Sequence, residues 1–526
     1  MLRGDRMTWL NIGEMLRVNA VKFGDKEALK DAQRSMTFGE YNDRACRLAN
    51  ALMDLGLRKG DRVCALLYNN VEYMEIYAAC AKAGLICATI NYRFVASEVR
   101  FVAEDSGSRL MFVGEEFIKL SDEVKPDLPH VQYIVQVGGR TCEGYLCYEE
   151  LIGRASPEEP KVRVDPTDPW LLLYTSGTTG RPKGVLRSHE SYISFFFINE
   201  VEFGYRHDDV CMIVMPLFHV NSTFYSFVFT YIGAKVYIHR AHMFDPEEVL
   251  KIIEREGITF TSLIPTHYVL MLNLPDAVKA KYKLDAIRSL LCSSAPARKE
   301  TKLAVMEMFH NADLFEAYGS TEAGLVTTLR PEDQYSKLGS IGRECYGSDL
   351  IKLLDAGGNA VGVGEVGEIW SRSPMMFTEY WGLPEKTAAS FREGGYFSAG
   401  DLAVRDEDGY YSIIDRKDNM IITGGEHVYP TEVEKVLAGH GAVVEAAIVG
   451  LPDPKWGESV HAAVVLKDGQ AVGDKELIDF CKSRMASYKK PKAVTFLRPD
   501  EMPKTATGKI RHRMLREQLI QKYGLK

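Results

Sequence analysis

At 526 residues, 46% of them hydrophobic and 26% charged, the chain has the composition of a globular protein and the length of roughly three to four compact units. Lys and Arg number 64 against 72 Asp and Glu, a formal charge of -8 with no long block of one sign, which argues against nucleic acid or an anionic membrane surface as partner. Ten scattered cysteines, with only Cys142 and Cys147 close together and no ligand cluster around them, point to a reduced, cytoplasmic protein rather than a disulfide scaffold or a structural zinc site.

Residues 1–6 lead into a mixed segment containing Glu14 and lack the continuous apolar core of a signal peptide; Met7 offers an alternative start. A strand is predicted at 62–67, and apolar runs at 170–173 and 184–186 read as two more. Between them lies Tyr174-Thr175-Ser176-Gly177-Thr178-Thr179-Gly180-Arg181-Pro182-Lys183, a loop of hydroxyls, glycines and two cations. Glycine lets backbone N–H groups approach an anion closely, the hydroxyls add neutral donors, and Lys183 supplies a mobile positive charge, so the loop suits phosphate. A plain hairpin of small polar residues is the alternative. The P-loop of kinases does not fit, because it ends in Gly-Lys followed by Ser or Thr. Here Gly180 is followed by Arg181 and Pro182, and the later Gly508-Lys509 by Ile510.

Residues 210–234 carry no Asp, Glu, Lys or Arg and are long enough to imitate a membrane span. Pro216, His219, Asn221, Ser222, Thr223 and Ser226 would be costly in lipid, so the segment is predicted to form a buried pocket wall. Asp245-Pro246-Glu247-Glu248 reads as an N-cap, a first-turn proline and two acids favoured by the helix dipole; Gly257 stops that helix and 258–264 is strand-like. With further strands at 234–239, 289–293 and 314–317, the alternation predicts mostly parallel sheets with helices on both faces. From about residue 339 the pattern changes to short, glycine-broken strands at 350–354, 367–371 and 409–414, a small β-rich subdomain over 339–416. Asp415-Arg416-Lys417-Asp418 marks a boundary. Beyond it, a helix at 430–437, strands at 445–449 and 461–466, an amphipathic segment at 475–485 and a closing helix at 511–523 make an independently packed unit. The predicted fold is α/β: a large N-terminal domain over 1–416 and a smaller α+β domain over 417–526.

The run 174–185 closely resembles the signature of the adenylate-forming enzymes, the superfamily of acyl-CoA synthetases, firefly luciferase and peptide-synthetase adenylation domains. Further motifs match in the family's order from about residue 23 to 509. Tyr318-Gly319-Ser320-Thr321-Glu322-Ala323-Gly324 resembles the second nucleotide motif, preceded by Glu316 and Ala317. The resemblance implies that Tyr318 stacks on adenine, Thr321 binds the α-phosphate and Glu322 holds Mg²⁺, in keeping with the taste of a hard cation for carboxylate and phosphate oxygens. Taken alone, Glu322 also reads as a dipole-favoured acid at a helix N-terminus. Cys292-Ser293-Ser294-Ala295-Pro296 resembles the adenine-side turn, with serines where many relatives carry glycines. Tyr396-Phe397-Ser398-Ala399-Gly400-Asp401 resembles the ribose motif, in which Asp401 accepts from the sugar hydroxyls; Ile413 and Arg416 belong to the same nucleotide site. Met215-Pro216-Leu217-Phe218-His219 resembles the motif whose histidine lines the acyl pocket, expected here to involve His219, Val220, Phe224, Ser293, Gly319 and Ser320. Pro503-Lys504-Thr505-Ala506-Thr507-Gly508-Lys509-Ile510 resembles the motif of the catalytic lysine, so Lys509 is expected to bridge the substrate carboxylate and the α-phosphate.

The resemblance therefore implies an AMP-forming acyl-CoA synthetase using ATP, Mg²⁺ and coenzyme A. A carboxylate attacks the α-phosphate of ATP to give acyl-AMP and pyrophosphate, and a thiol then displaces AMP. Gly424, Gly425 and Glu426 resemble the face that meets the pantetheine arm, although the two glycines also suit a plain tight turn. Family members rotate the C-terminal domain between the two steps, and the matching hinge position is Asp418. No carrier segment follows in the sequence, so free CoA is the expected acceptor. Phe218, Phe224, Tyr225 and Phe227 near His219 favour an apolar monocarboxylate, whether medium-chain fatty, alicyclic or aromatic. A carnitine-type acid remains open because aromatic faces also bind quaternary ammonium groups. So do an adenylating enzyme with a carrier protein or oxygen as acceptor, and an idle nucleotide-binding module. Nucleic acid and an integral membrane segment are not expected; a homodimer is compatible.

Overall fold

The structure, a computed structural model, describes residues 11–176, 182–295, 297–505 and 508–525. Of the sequence-predicted site residues, Gly177, Thr178, Thr179, Gly180 and Pro296 lie outside the described residues. The chain divides into two compact units, Met1–Leu350 with Ser371–Phe397, and Ile351–Trp370 with Ser398–Lys526. By compactness, then, the short β strands at 351–370 and 398–416 group with the C-terminal residues, whereas the sequence reading cuts the chain at 416/417.

Among the described residues of the first unit, one sheet has nine strands in the order Arg343–Glu344, Gly324–Leu329, Asp313–Ser320, Ser289–Ser293, Phe260–Leu263, Val210–Ile213, Lys235–Ile238, Glu27–Lys30 and Ser35–Thr37. The six strands from Asp313–Ser320 to Glu27–Lys30 are parallel and the three at the edges antiparallel. The order reverses at Val210–Ile213, since the next strand in sequence lies on one side of it and the following strand on the other. Open α/β sheets bind ligands in the crevice at the carboxyl ends of strands around such a reversal. His219 and Asn221 follow that strand.

A second sheet of eight strands runs Glu379–Tyr380, Pro182–Ser188, Pro169–Ser176, Ile86–Thr89, Arg62–Leu66, Leu110–Gly114, Tyr133–Val137 and Leu146–Cys147. It is parallel except at its Pro182–Ser188 and Glu379–Tyr380 edge. Residues around this sheet pin the approach to His219. Asn69 Nδ2 donates to Met215 O at 2.9 Å while its Oδ1 accepts from Leu217 N at 2.7 Å, and Tyr77 and Thr89 donate to the carbonyls of Leu217 and Phe218.

Local chemistry explains the elements. Asp245 Oδ1 accepts from Glu247 N and Glu248 N at 3.0 and 3.2 Å, Pro246 opens the helix Pro246–Glu256, and Gly257 ends it at φ +63°, a left-handed value that suits glycine. Val249, Leu250, Ile252 and Ile253 form its buried face. The uncharged stretch 210–234 becomes a strand and the 12-residue helix Val220–Tyr231, about 18 Å long at 1.5 Å per residue. Among the described residues no helix is long and apolar enough to cross a membrane.

The second unit holds an antiparallel sheet ordered Lys352–Leu354, Gly367–Trp370, Asp401–Arg405, Tyr411–Arg416, and a larger one built on Val443–Asp453 and Gly457–Leu466. From Ala446 and Val460 onward the two long strands alternate. Ile448, Ala462 and Val464 pack with Val433, Leu437 and Leu477 from the helices Pro430–Ala438 and Asp474–Lys482, whereas Ala447, Val449, Ala463 and Val465 pack with Leu515 and Leu519 of the helix His512–Tyr523. A strand's two-residue period sends alternate side chains to opposite faces, so each face receives its own helices.

Candidate active site

In the first unit, the strands Pro169–Ser176 and Pro182–Ser188 pair antiparallel, with Tyr174 opposite Gly184 and Thr175 opposite Lys183. They flank the predicted phosphate loop. Thr175 Oγ1 is buried and takes no hydrogen-bond partner among the described residues, as suits a hydroxyl kept for a ligand. Lys183 Nζ lies 3.7 Å from Glu322 Oε1 and 4.3 Å from the centroid of the Tyr380 ring. Tyr380 donates its hydroxyl to Glu322 Oε1 at 3.0 Å. Two stretches far apart in sequence thus converge on one carboxylate, whose side chain is only 11% exposed.

Glu322 sits in the turn between the antiparallel strands Asp313–Ser320 and Gly324–Leu329, so its alternative reading as a helix N-terminal acid is removed. The turn is narrow. A Cβ on Gly319 would fall 2.1 Å from Gly324 O, and Gly324 itself has φ +74°. Ser320 Oγ accepts from Ala323 N at 3.0 Å, and Glu322 O accepts from Phe377 N at 2.7 Å.

Arg187, fully buried, anchors the same turn. Its Nη1 donates to Thr321 O at 2.6 Å, Nη2 donates to Met375 O, and the guanidinium lies 4.8 and 5.4 Å from the centroids of Phe224 and Tyr192. Burial pulls its pKa down to about 10, against the attraction of Tyr192 and Glu322. Sequence reasoning missed Arg187 and Tyr380. The signal for Arg187 was a cation inside an apolar strand, four residues from Lys183 and therefore on the same face; Tyr380 offered none.

On the acyl side, His219 N-caps the helix Val220–Tyr231 by its backbone, and its ring lies 4.3 Å from that of Phe218. Phe224 stacks on Phe195 at 3.7 Å and 8°, with Tyr192 at 4.8 Å. Phe227 instead packs edge-on against Trp170 at 4.8 Å and is core. Asn221 Nδ2 lies 3.0 Å from both Ser262 Oγ and Ser293 Oγ. Next to it Ser294 has φ +69°, the single left-handed non-glycine among the described residues. A side chain in this left-handed conformation strains the backbone, so glycine would suit the position better. Glu316 is committed to Lys302, whose Nζ donates to Oε2 at 2.6 Å; burial pushes the Glu316 carboxyl above the usual range despite that partner. Its backbone, with Ala317 and Tyr318, continues the strand toward Gly319.

In the second unit Asp401 and Arg416 face each other across adjacent strands, and Arg416 Nε donates to Asp401 Oδ1 at 2.9 Å while Nη2 donates to Ala399 O at 2.7 Å. Ile413 pairs with Ala403 in the same ladder. Lys509 belongs to this cluster. The residue keeps exposed surface, yet its ammonium is crowded enough that desolvation lowers its pKa, an effect opposed by Asp401 and reinforced by Arg416. Asp418 is exposed in the single helical turn Lys417–Asn419. Gly424 and Gly425, at φ +60° and +85°, make the two-residue turn of the hairpin Ile421–Thr423 and Glu426–Val428, where paired left-handed residues match the strand twist. A Cβ on Gly424 would sit 2.7 Å from the Trp456 ring.

Fold and motifs together define an adenylate-forming enzyme. The family described as AMP-binding enzyme matches residues 16–381, and the AMP-binding enzyme C-terminal domain matches residues 432–509; the chain belongs to this family. It is similar to a feruloyl-CoA synthase of an Amycolatopsis species, 35% identical over 486 residues that cover 92% of this chain and 94% of that one. It is also similar to a long-chain-fatty-acid–CoA ligase of Mycobacterium tuberculosis, 33% identical over 97% of this chain and 98% of the other. Among solved structures, the anthranilate CoA ligase AuaEII in complex with anthranoyl-AMP superposes with a TM-score of 0.89 at 30% identity, covering 100% of both chains.

Proposed function

We propose that the chain is an AMP-forming acyl-CoA synthetase that converts an apolar monocarboxylic acid, ATP and CoA into acyl-CoA, AMP and pyrophosphate. The observation that carries the reading is the convergence of Lys183 and Tyr380 on the Glu322 carboxylate beside Thr321. In this reading Thr175, Ser176, Gly177, Thr178, Thr179, Gly180 and Lys183 grip the phosphates that leave, Thr321 contacts the α-phosphate, and Tyr318, with Ser294, Ala295, Pro296, Glu316 and Ala317, borders adenine. Asp401 accepts from the ribose hydroxyls and Arg416 fixes its orientation through their 2.9 Å bond. Lys509 then steadies the negative charge that gathers as one anion attacks another.

Glu322 suits Mg²⁺: its Oε1 is held by Tyr380, its Oε2 takes no protein partner among the described residues, and Mg²⁺ commonly binds one carboxylate plus substrate phosphate oxygens. When bound, the cation would neutralise polyphosphate charge. Gly424, Gly425 and Glu426 are assigned to the thiol-bearing arm of CoA, and Asp418 to the hinge between a domain over 1–416 and one over 417–526. Ten unpaired cysteines support a reducing, cytoplasmic setting. The relatives named above are named for feruloyl, long-chain fatty and anthranilate substrates, each a single carboxylate on an aryl or alkyl body, which supports the substrate class.

The test is acid-dependent exchange of labelled pyrophosphate into ATP across a panel of acids, followed by thioester detection with and without CoA. Exchange with an apolar acid and CoA-dependent thioester are expected, and Lys509→Ala should abolish exchange. Exchange without thioester would replace CoA by another acceptor; no exchange with any acid would refute the enzyme reading.

A further inference from the structure

Resting on the synthetase reading, we infer that Asn221 recognises a hydrogen-bond donor, a hydroxyl or amino group, on the body of the acid. Asn221 Nδ2, Ser262 Oγ and Ser293 Oγ form a closed triangle with sides of 3.0, 3.0 and 3.2 Å. Proton counting fixes which way the amide points. With the NH₂ turned inward, its two protons and one serine proton satisfy all three contacts. With the carbonyl turned inward, only two hydroxyl protons serve three contacts and one side of the triangle has none. The amide oxygen therefore faces away from the serines.

Ser262 and Ser293 are 4% and 7% exposed, whereas Asn221 is half-buried, and its Oδ1 takes no protein partner among the described residues. Its place is equally specific. Asn221 lies in the first turn of the helix after Val210–Ile213, where the sheet order reverses, and the serines lie toward the carboxyl ends of the next two strands on one side of it, Phe260–Leu263 and then Ser289–Ser293. His219 precedes it by two residues, and Phe224 follows one turn later. A fixed acceptor beside an aromatic wall discriminates sharply, because an acid without a donor leaves that oxygen desolvated and unpaired. The pocket is thus matched to an apolar acid carrying one donor rather than to a bare hydrocarbon tail.

The experiment compares hydroxylated, amino-substituted, methoxylated and unsubstituted benzoates, cinnamates and fatty acids by pyrophosphate exchange. For at least one scaffold, kcat/KM for the hydroxy or amino acid should exceed that of its methoxy and unsubstituted counterparts by tenfold or more. Asn221→Leu should bring that ratio to within threefold of unity, and Ser293→Ala, which frees the amide to rotate, to an intermediate value. The denaturant midpoint reports folding of both variants, and Ser293→Ala carries the test if Asn221→Leu does not fold. A preference for unsubstituted acids, or a donor preference that survives the variants, would overturn the assignment. No exchange with any acid would instead refute the synthetase reading on which it rests.

Discussion

Replacing Arg187 by Met tests how the carboxylate turn is held. The substitution keeps volume but strips the donors from Thr321 O and Met375 O. Leaving a buried acceptor unpaired costs about 1–3 kcal/mol, so the two together cost about 2–6 kcal/mol. Against this, burial that moves the guanidinium from 12.5 to about 10 represents a penalty of about 3 kcal/mol, at 1.36 kcal/mol per pH unit, and the variant escapes it. The two terms nearly cancel, and the net loss of stability is expected to be no more than about 3 kcal/mol. Activity has no such compensation, because Thr321 and Glu322 lose the bond that fixes their turn. A positioning loss of about 3 kcal/mol is a factor of roughly 100 in rate. Pyrophosphate exchange should therefore fall about 100-fold, with a raised half-saturating Mg²⁺ concentration, while the denaturant midpoint moves modestly; Arg187→Lys should recover part of both losses. Exchange within threefold of the wild type, or a Mg²⁺ requirement that does not move, would refute the reasoning.

Gly319→Ala places a methyl 2.1 Å from Gly324 O, a backbone atom that cannot step aside, so overpacking of about 3 kcal/mol should open the turn and remove exchange activity; an active variant of normal stability would show that the turn is loose. Acid should destabilise the fold well above the carboxylate range. His189, whose Nδ1 accepts from Ile12 N at 3.2 Å, is held down to about 3 by burial, and His461 to about 4 by burial with Lys522 adding to the effect. Both histidines are neutral when folded and protonate near 6.5 when unfolded, so the unfolded chain binds more protons and stability falls as pH drops from 6.5 toward 4 and 3. At pH 5 each contributes a loss of about 2 kcal/mol, which denaturant melts at pH 7 and 5 would measure; equal midpoints would contradict it. Asp418→Pro changes an exposed residue, so stability should move by about 0.5 kcal/mol or less, with adenylate formation kept and thioester formation impaired. Equal loss of both steps would count against the hinge.

Motifs whose chemistry is local were legible in the sequence. The Asp245 cap, the strand at 289–293 and the paired strands around residues 174–185 follow from side-chain hydrogen bonding, β-propensity and glycine placement, each acting within a few residues. Asp401 and Arg416 were named from the family resemblance, and the strand register then set them face to face. Tyr380, Arg187 and Lys302 were not legible as partners of Glu322, Thr321 and Glu316, because each pair joins elements whose sequence separation says nothing about their distance.

By itself the sequence determined the reaction class, through phosphate-type loops and a terminal lysine in a fixed order, and it determined the alternation of strands and helices that builds parallel sheets. Tertiary structure decided what each polar group is free to do. The packing of helices and strands spent the Glu316 carboxylate on Lys302, gathered Lys183 and Tyr380 around Glu322, and closed the Asn221–Ser262–Ser293 triangle with one oxygen left over. The physical reason is that a buried polar atom must find a partner, and which partner it finds depends on chain segments brought together only by the fold.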